Sequence, residues 1–287
     1  VETAPAPYAT PLPTELIRFR SFGSPERNGA DESEVFNHLR GRLRFADITT
    51  FNDPFEAKPH YVAAYQDAAM QRAAMIRYLT QIAPNGGSKT ARRRWAEQRL
   101  AGRSQQQLVD EAGEKLIKKD ERGNYFVFCL MHPSVVKTPL PWSHYADSHK
   151  GVCLHFDSKK RPIKLANSVE YSRKYPTILI PRTEQSAWAG VHNMLLRKAS
   201  MWKYEKEFRI VRLAFADGIA RTLLSTWDGD ICLAEAGACK AITFGARMAV
   251  EVRERLRDWI RVNTPQVETW QAALHRSRYE VLRTRIE

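Results

Sequence analysis

The sequence predicts an α+β fold, and three observations carry that prediction. Short runs of β-branched and aromatic residues recur on both sides of the chain's helical block, at 16–21, 43–46, 125–130, 151–156, 240–245, 267–272 and 279–285. A block at about 57–122 changes character: Ala, Gln, Arg and Leu dominate, and Ala69, Ala73, Ile76 and Leu79 recur at helical spacing. Strand and helix segments are segregated rather than alternating, which favours an α+β arrangement over a doubly wound one.

Composition agrees with a folded chain. Of 287 residues, 43% are hydrophobic and 10% aromatic, enough for a substantial core and unlike a disordered chain. The expected organisation is an extended Pro/Ala/Thr-rich leader at 1–13 and one α+β domain at 14–287, with 57–122 as a basic helical insertion. No apolar run approaches the roughly 20 residues that span a bilayer, so no membrane partner is expected. The leader lacks a basic start and an apolar segment, which points to a cytoplasmic protein, with a secreted effector as the alternative. A targeting segment removed ahead of Val1 is compatible with this reading.

Cys129, Cys153, Cys232 and Cys239 are widely spaced and are expected to be reduced, buried thiols. The net charge of +13 favours anionic partners: nucleic acid, a phosphate-bearing molecule or an acidic surface. Lys89, Arg92, Arg93 and Arg94 concentrate part of that charge at the start of the insertion's second helical part, after the break at 84–88.

Taken in order, 16–21 reads as a first strand with Arg18 and Arg20 on one face, because strand side chains repeat every two residues. A helix at 31–39 opens with acidic residues that suit the positive end of its dipole, and Gly41 closes it. After the insertion come strands at 125–130, 151–156 and within 163–171, then a helix at 183–197. The segment 198–213 carries Glu205, Glu207 and Arg209 at strand spacing on one face. Val252, Leu256, Trp259 and Ile260 mark an amphipathic helix at 250–262 between the last strands.

Phosphate-cradling glycine loops, the serine-nucleophile elbow and tight Cys/His quartets are absent from the sequence. Cys129, His132, His144, His149, Cys153 and His155 crowd together without the spacing of a common zinc site, so no metal is expected. Three features could carry chemistry. Glu205 and Glu207 form a paired-carboxylate candidate, the plain alternative being a solvated edge strand neutralised by Arg209 and nearby lysines. Asp53, Glu56 and Lys58 resemble a metal-dependent nuclease pattern, the alternative being a turn capped by Asp53. Trp142, His144, Tyr145 and His149 could form an aromatic platform for a flat ring, or a core helix with satisfied polar tips.

Leu16-Ile-Arg-Phe-Arg-Ser, Phe51-Asn-Asp-Pro-Phe-Glu, Trp142-Ser-His-Tyr-Ala-Asp-Ser-His-Lys-Gly and the segment 198–209 fall in the order of the bacterial domain of unknown function 2971. The resemblance runs over nearly the whole chain outside the leader and the insertion. That family name implies no activity. The layout is also similar to ADP-ribosyltransferase-like domains. This second resemblance implies a mixed or antiparallel β core with surrounding helices, and NAD as substrate. It implies Arg18 or Arg20 gripping the dinucleotide, Tyr145 stacking on nicotinamide beside His144 and Trp142, Glu207 as the principal catalytic carboxylate and Glu205 as its helper. The acceptor, protein or nucleic acid among others, is left open, as is a toxin or defence role. A nucleic-acid-directed protein and a non-catalytic ligand binder are the competing expectations.

Overall fold

The computed structural model describes residues 11–23, 30–84, 87–120, 125–181, 190, 193–213, 227–228 and 230–286. The chain is an α+β protein whose contacts divide it into two units: residues 1–50, 125–169 and 201–287 form the first, 51–124 and 170–200 the second. The expected insertion lies within the second unit. Residues 1–10 of the expected leader and most of the helix expected at 183–197 lie outside the described residues.

The first unit is built on a mixed sheet of nine strands. Its path runs β16 (Val281–Ile286), β15 (Glu268–Leu274), β14 (Cys239–Phe244), β6 (Val152–Asp157), β1 (Glu15–Arg20), β5 (Tyr125–Met131), β11 (Glu207–Leu213) and β7 (Asn167–Ser168), with β3 (Ala46–Asp47) also pairing β5. Only β14 and β15 run parallel along this path. The pairing is uneven. β1 meets β6 over six register pairs and β5 meets β11 over seven, yet β1 meets β5 only at Ile17↔Met131. The two halves of the sheet therefore part beyond that pair. Arg18 Nη1 bridges the divergence by donating to the Cys129 carbonyl at 2.5 Å, with its guanidinium 4.3 Å from the Phe128 ring centroid.

Strand alternation sends two sets of residues to opposite faces. Leu16, Phe128, Leu130, Leu154, Phe156, Phe208, Ile210, Ile242 and Phe244 form the larger core with α1 (Ala30–Leu39) and α6 (Val250–Asn263). Each such side chain contributes about 1.5–3 kcal/mol when fully buried. The amphipathic reading of α6 holds: Leu256 and Ile260 are buried, and Val252 and Trp259 pack on the core. The opposite face carries Ile17, Phe19, Cys153, Ala272 and Val281, covered by α5 (Pro139–Tyr145) and the short turn Pro133–Lys137 before it.

The second unit holds α2 (Ala68–Ile82), α3 (Lys89–Leu100) and α4 (Gln105–Asp120), with β4 (His60–Ala63) pairing β9 (Thr177–Ile180) and β8 (Glu170–Ser172) pairing β10 (Arg197–Ala199). Its core is Met75, Leu100, Leu108, Val109 and Ile180. The second helical part expected from Lys89 onward divides in two because Gly102 adopts φ +71° and breaks the ladder. Asp67 and Ser88 cap α2 and α3 by accepting from the Met70 and Ala91 amides. Among the basic residues of α3, Arg93 pairs with Glu97, and Arg99 lies over the Trp95 ring.

All four cysteines are free, and burial pushes the Cys239 thiol up to about 12 and Cys232 to about 11. No helix among the described residues is long and apolar enough to cross a membrane.

Candidate functional site

The segment Trp142 to Gly151 forms a helix end and a tight backbone corner. Trp142 is fully buried, its indole Nε1 donating to the Val136 carbonyl at 2.8 Å and its ring meeting Phe19 edge-on at 5.0 Å. It is a core residue that fixes α5 to the sheet. Asp147, Ser148 and His149 then take φ of 44°, 52° and 71° in succession, a left-handed run that non-glycine residues seldom adopt. A Cβ on Gly151 would stand 2.1 Å from the Arg20 carbonyl, and one on Gly245 2.1 Å from the His149 carbonyl. Only glycine permits those approaches. The corner thus sets where α5 ends and where Tyr145 points.

Tyr145 is half-buried and its hydroxyl donates to Glu205 Oε1 at 2.5 Å. Glu205 is completely buried at the end of the 3₁₀ turn Ser200–Glu205, and Lys206, at φ 46°, turns the chain into β11. The strand therefore starts at Glu207, and Glu205, expected on the same strand, lies in the turn before it. Glu207 is 3% exposed and Arg209 fully buried. Arg209 grips Glu207 with two hydrogen bonds, Nε to Oε1 at 2.8 Å and Nη2 to Oε2 at 3.0 Å. Burial pulls the Arg209 guanidinium down to about 9.

The plain alternative named the right partner and the wrong surroundings. Arg209 does neutralise Glu207, but β11 runs between β5 and β7 and the pair is buried. Next to Tyr145 lies an aromatic rim. Exposed His144 sits 6.1 Å from the Tyr145 ring, 6.3 Å from Trp202 and 6.3 Å from Tyr204, with Trp202 and Tyr204 6.0 Å apart. Trp202 and Tyr204 are not among the residues expected from the sequence, although aromatic residues two apart just ahead of two glutamates are a visible signal.

Arg18 and Arg20 lie elsewhere. Ile17 pairs with Met131 and Met131 with Glu207, and in-register partners share a face, so Glu207 points to the α5 side and both arginines to the α1 side. There Arg20 meets Glu34 at 2.6 Å and Arg18 meets the same oxygen at 3.8 Å. His38, fully buried, also lies 3.8 Å from Glu34, and burial with the Arg20 charge lowers its pKa well below the ordinary value. The two arginines do not join Tyr145 and Glu207 in one cleft.

The histidines do not converge either. His149 stacks under Trp142 with Nε2 3.3 Å from Ser143 Oγ, and burial with Arg247 lowers its pKa. His155 is buried in the sheet, with Nε2 2.9 Å from Thr243 Oγ1 and Nδ1 3.5 Å from Glu15. Asp53 caps its own turn, accepting from the Phe55 amide at 2.9 Å. Glu56 stands 3.9 Å from buried Lys198. Among the described residues no three His, Cys, Asp or Glu side chains are grouped to hold a metal. A groove of about 670 Å³ between α6 and the β15–β16 ends is lined by charges that pair among themselves, Arg257 with Glu254, Arg261 with Asp258 and Arg285 with Glu268.

Residues 142–210 match the family model described as Protein of unknown function (DUF2971). The match takes in the α5 corner, the rim and the Glu205–Arg209 segment, and is far shorter than the nearly whole-chain resemblance expected from the sequence. No curated protein and no solved structure matches the chain.

Proposed function

We propose that the chain acts on a glycosidic bond through Glu205 and Glu207, in the manner of an ADP-ribosyltransferase-like enzyme, with NAD as the first substrate to test. One observation carries this reading: a half-buried phenol bonds the buried Glu205 carboxylate beside an aromatic rim, two residues before the buried Glu207 that opens β11. Breaking the nicotinamide–ribose bond builds positive charge on the sugar, which fixed carboxylates stabilise. Flat rings such as nicotinamide stack on aromatic side chains like those of the rim.

The support covers the ring and sugar of such a substrate. Arg18 and Arg20 have no part in it, since the α1 face holds them. Glu207 shares its charge with Arg209, which suits a residue that orients a ribose hydroxyl. The test is nicotinamide release from NAD by the purified chain, expected for the wild type and lost in Glu207→Gln. Undiminished turnover in that variant would remove Glu207 from the mechanism. A second reading is favoured by the burial of both carboxylates: a non-catalytic pocket that binds the ligand. Tight NAD binding without nicotinamide release would select it.

A further inference from the structure

We infer that one flank of α3 is a binding surface for a single-stranded nucleic acid, an inference that stands apart from the glycosidic-bond reading. An α-helix brings residues three and four apart onto one side, so Lys89, Arg92, Trp95 and Arg99 form a stripe along α3. At 1.5 Å of rise per residue the stripe is about 15 Å long. Exposed Arg72 of α2 extends it, its Nη1 donating to the Leu100 carbonyl at the end of α3 at 3.1 Å. The other flank is neutralised, since Arg93 there closes on Glu97 at 2.9 Å. Among the described residues no carboxylate pairs with Lys89, Arg92, Arg99 or Arg72.

Like charges at this spacing repel and weaken the helix unless an anion joins them. Arg92 adds a second cost, because it is half-buried and its Nε is covered without a hydrogen-bond partner. A phosphate docked on the stripe relieves both. Trp95 selects among anions. It is half-buried and stands between Arg92 and Arg99 in the stripe, with the Arg99 guanidinium 5.4 Å from its ring centroid. A base stacks on an indole or a guanidinium plane, and the flanking cations take the phosphates on either side. A duplex keeps its base faces stacked inside, so a single strand fits better. A membrane-surface helix needs a broad apolar face, whereas α3 turns Ala96 and Leu100 into its own unit and exposes no large apolar residue. An acidic peptide without rings would satisfy the cations and leave Trp95 unused.

The experiment titrates a fluorescein-labelled oligothymidylate with the full chain and reads anisotropy over a range of salt. A labelled duplex, competing polyglutamate and phosphatidylserine vesicles are measured beside it. The single strand should bind more tightly than the duplex, and log K should fall against log[salt] with a slope of about −3, roughly 0.7 for each of four cations. Arg92→Gln and Arg99→Gln should each reduce that slope by about 0.7. Trp95→Ala should bind about tenfold more weakly at an unchanged slope, while Trp95→Phe, which keeps a ring in the same packing, should retain most of the affinity. Arg94→Gln removes an equal charge from a different side of α3 and should change little. A circular-dichroism melt checks that each variant is folded. Equal losses in Arg94→Gln and Arg92→Gln would mean diffuse attraction and would overturn the stripe. So would equal competition by polyglutamate, a tighter grip on the duplex, binding to vesicles but not to the oligonucleotide, or no binding at low salt.

Discussion

The two faces of the nine-stranded sheet hold the same residue types to different ends. On the α1 face, Arg18 and Arg20 share Glu34 next to a buried His38, and Arg18 also serves the Cys129 carbonyl. On the α5 face, Arg209 closes on Glu207 and Glu205 closes on Tyr145. The first cluster fills the divergence of β1 from β5, where Arg18 donates to the Cys129 carbonyl. The second lies beside an aromatic rim that includes exposed His144. The contrast teaches that an arginine–carboxylate set in a sheet declares a site only when its neighbours on the same face are known.

The largest effect should come from breaking the α5-face pair. Glu207→Ala leaves Arg209 charged and buried without its carboxylate, and should cost about 3–5 kcal/mol in urea unfolding. Glu207→Gln keeps the shape and some hydrogen bonding, and should cost less. On the α1 face, Arg18→Met removes a donor to the half-buried Cys129 carbonyl while retaining a stem to pack on Phe128. It should cost about 1–3 kcal/mol and leave nicotinamide release per folded molecule unchanged. A large specific loss of turnover there would undo the separation of the two faces.

The acid response offers a smaller test. Hydrogen bonding to His155, with Lys240 nearby, holds Glu15 down at about 2 in the fold, below its ordinary 4.5. A lowered carboxylate contributes stability that is present above pH 4.5 and lost as pH falls through about 2. Burial lowers the His155 and His38 pKa values as well. Their unfolded forms protonate first as pH falls below 6.5, so they too favour unfolding in acid. Urea midpoints between pH 5 and 3 should fall less steeply in Glu15→Gln than in the wild type. The smallest effect belongs to His144→Ala on the exposed rim, expected within about 0.5 kcal/mol of wild-type stability. Its measurable consequence should be weaker NAD binding by titration calorimetry.

Much of this architecture was legible in the chain. Periodicity marked α6, the strand residues and the shared face of Arg18 and Arg20, because those are local properties. What the sequence could not supply was register. The sides taken by Arg18 and Glu207 depend on Ile17 meeting Met131 and Met131 meeting Glu207, and a slip of one residue in either pairing would reverse the outcome. Trp142 shows a second limit: an aromatic side chain in a polar motif looks like a platform until its indole is seen bonded to Val136 inside the core. The helical insertion concealed β4, since His60-Tyr-Val-Ala63 becomes a strand only by pairing with β9, more than a hundred residues away.

The lone Ile17↔Met131 contact between β1 and β5 also bears on how the first unit breathes. Cross-strand amide bonds on either side of that seam form two well-knit blades, while the seam has little main-chain bonding of its own. Opening there disrupts few hydrogen bonds, so the two blades should act as separate cooperative units in native-state hydrogen exchange. Amides of β6 and β14 should then share one opening energy and those of β5 and β11 another. Arg18, reaching from one blade to a carbonyl of the other, would be the latch whose removal lets them exchange independently.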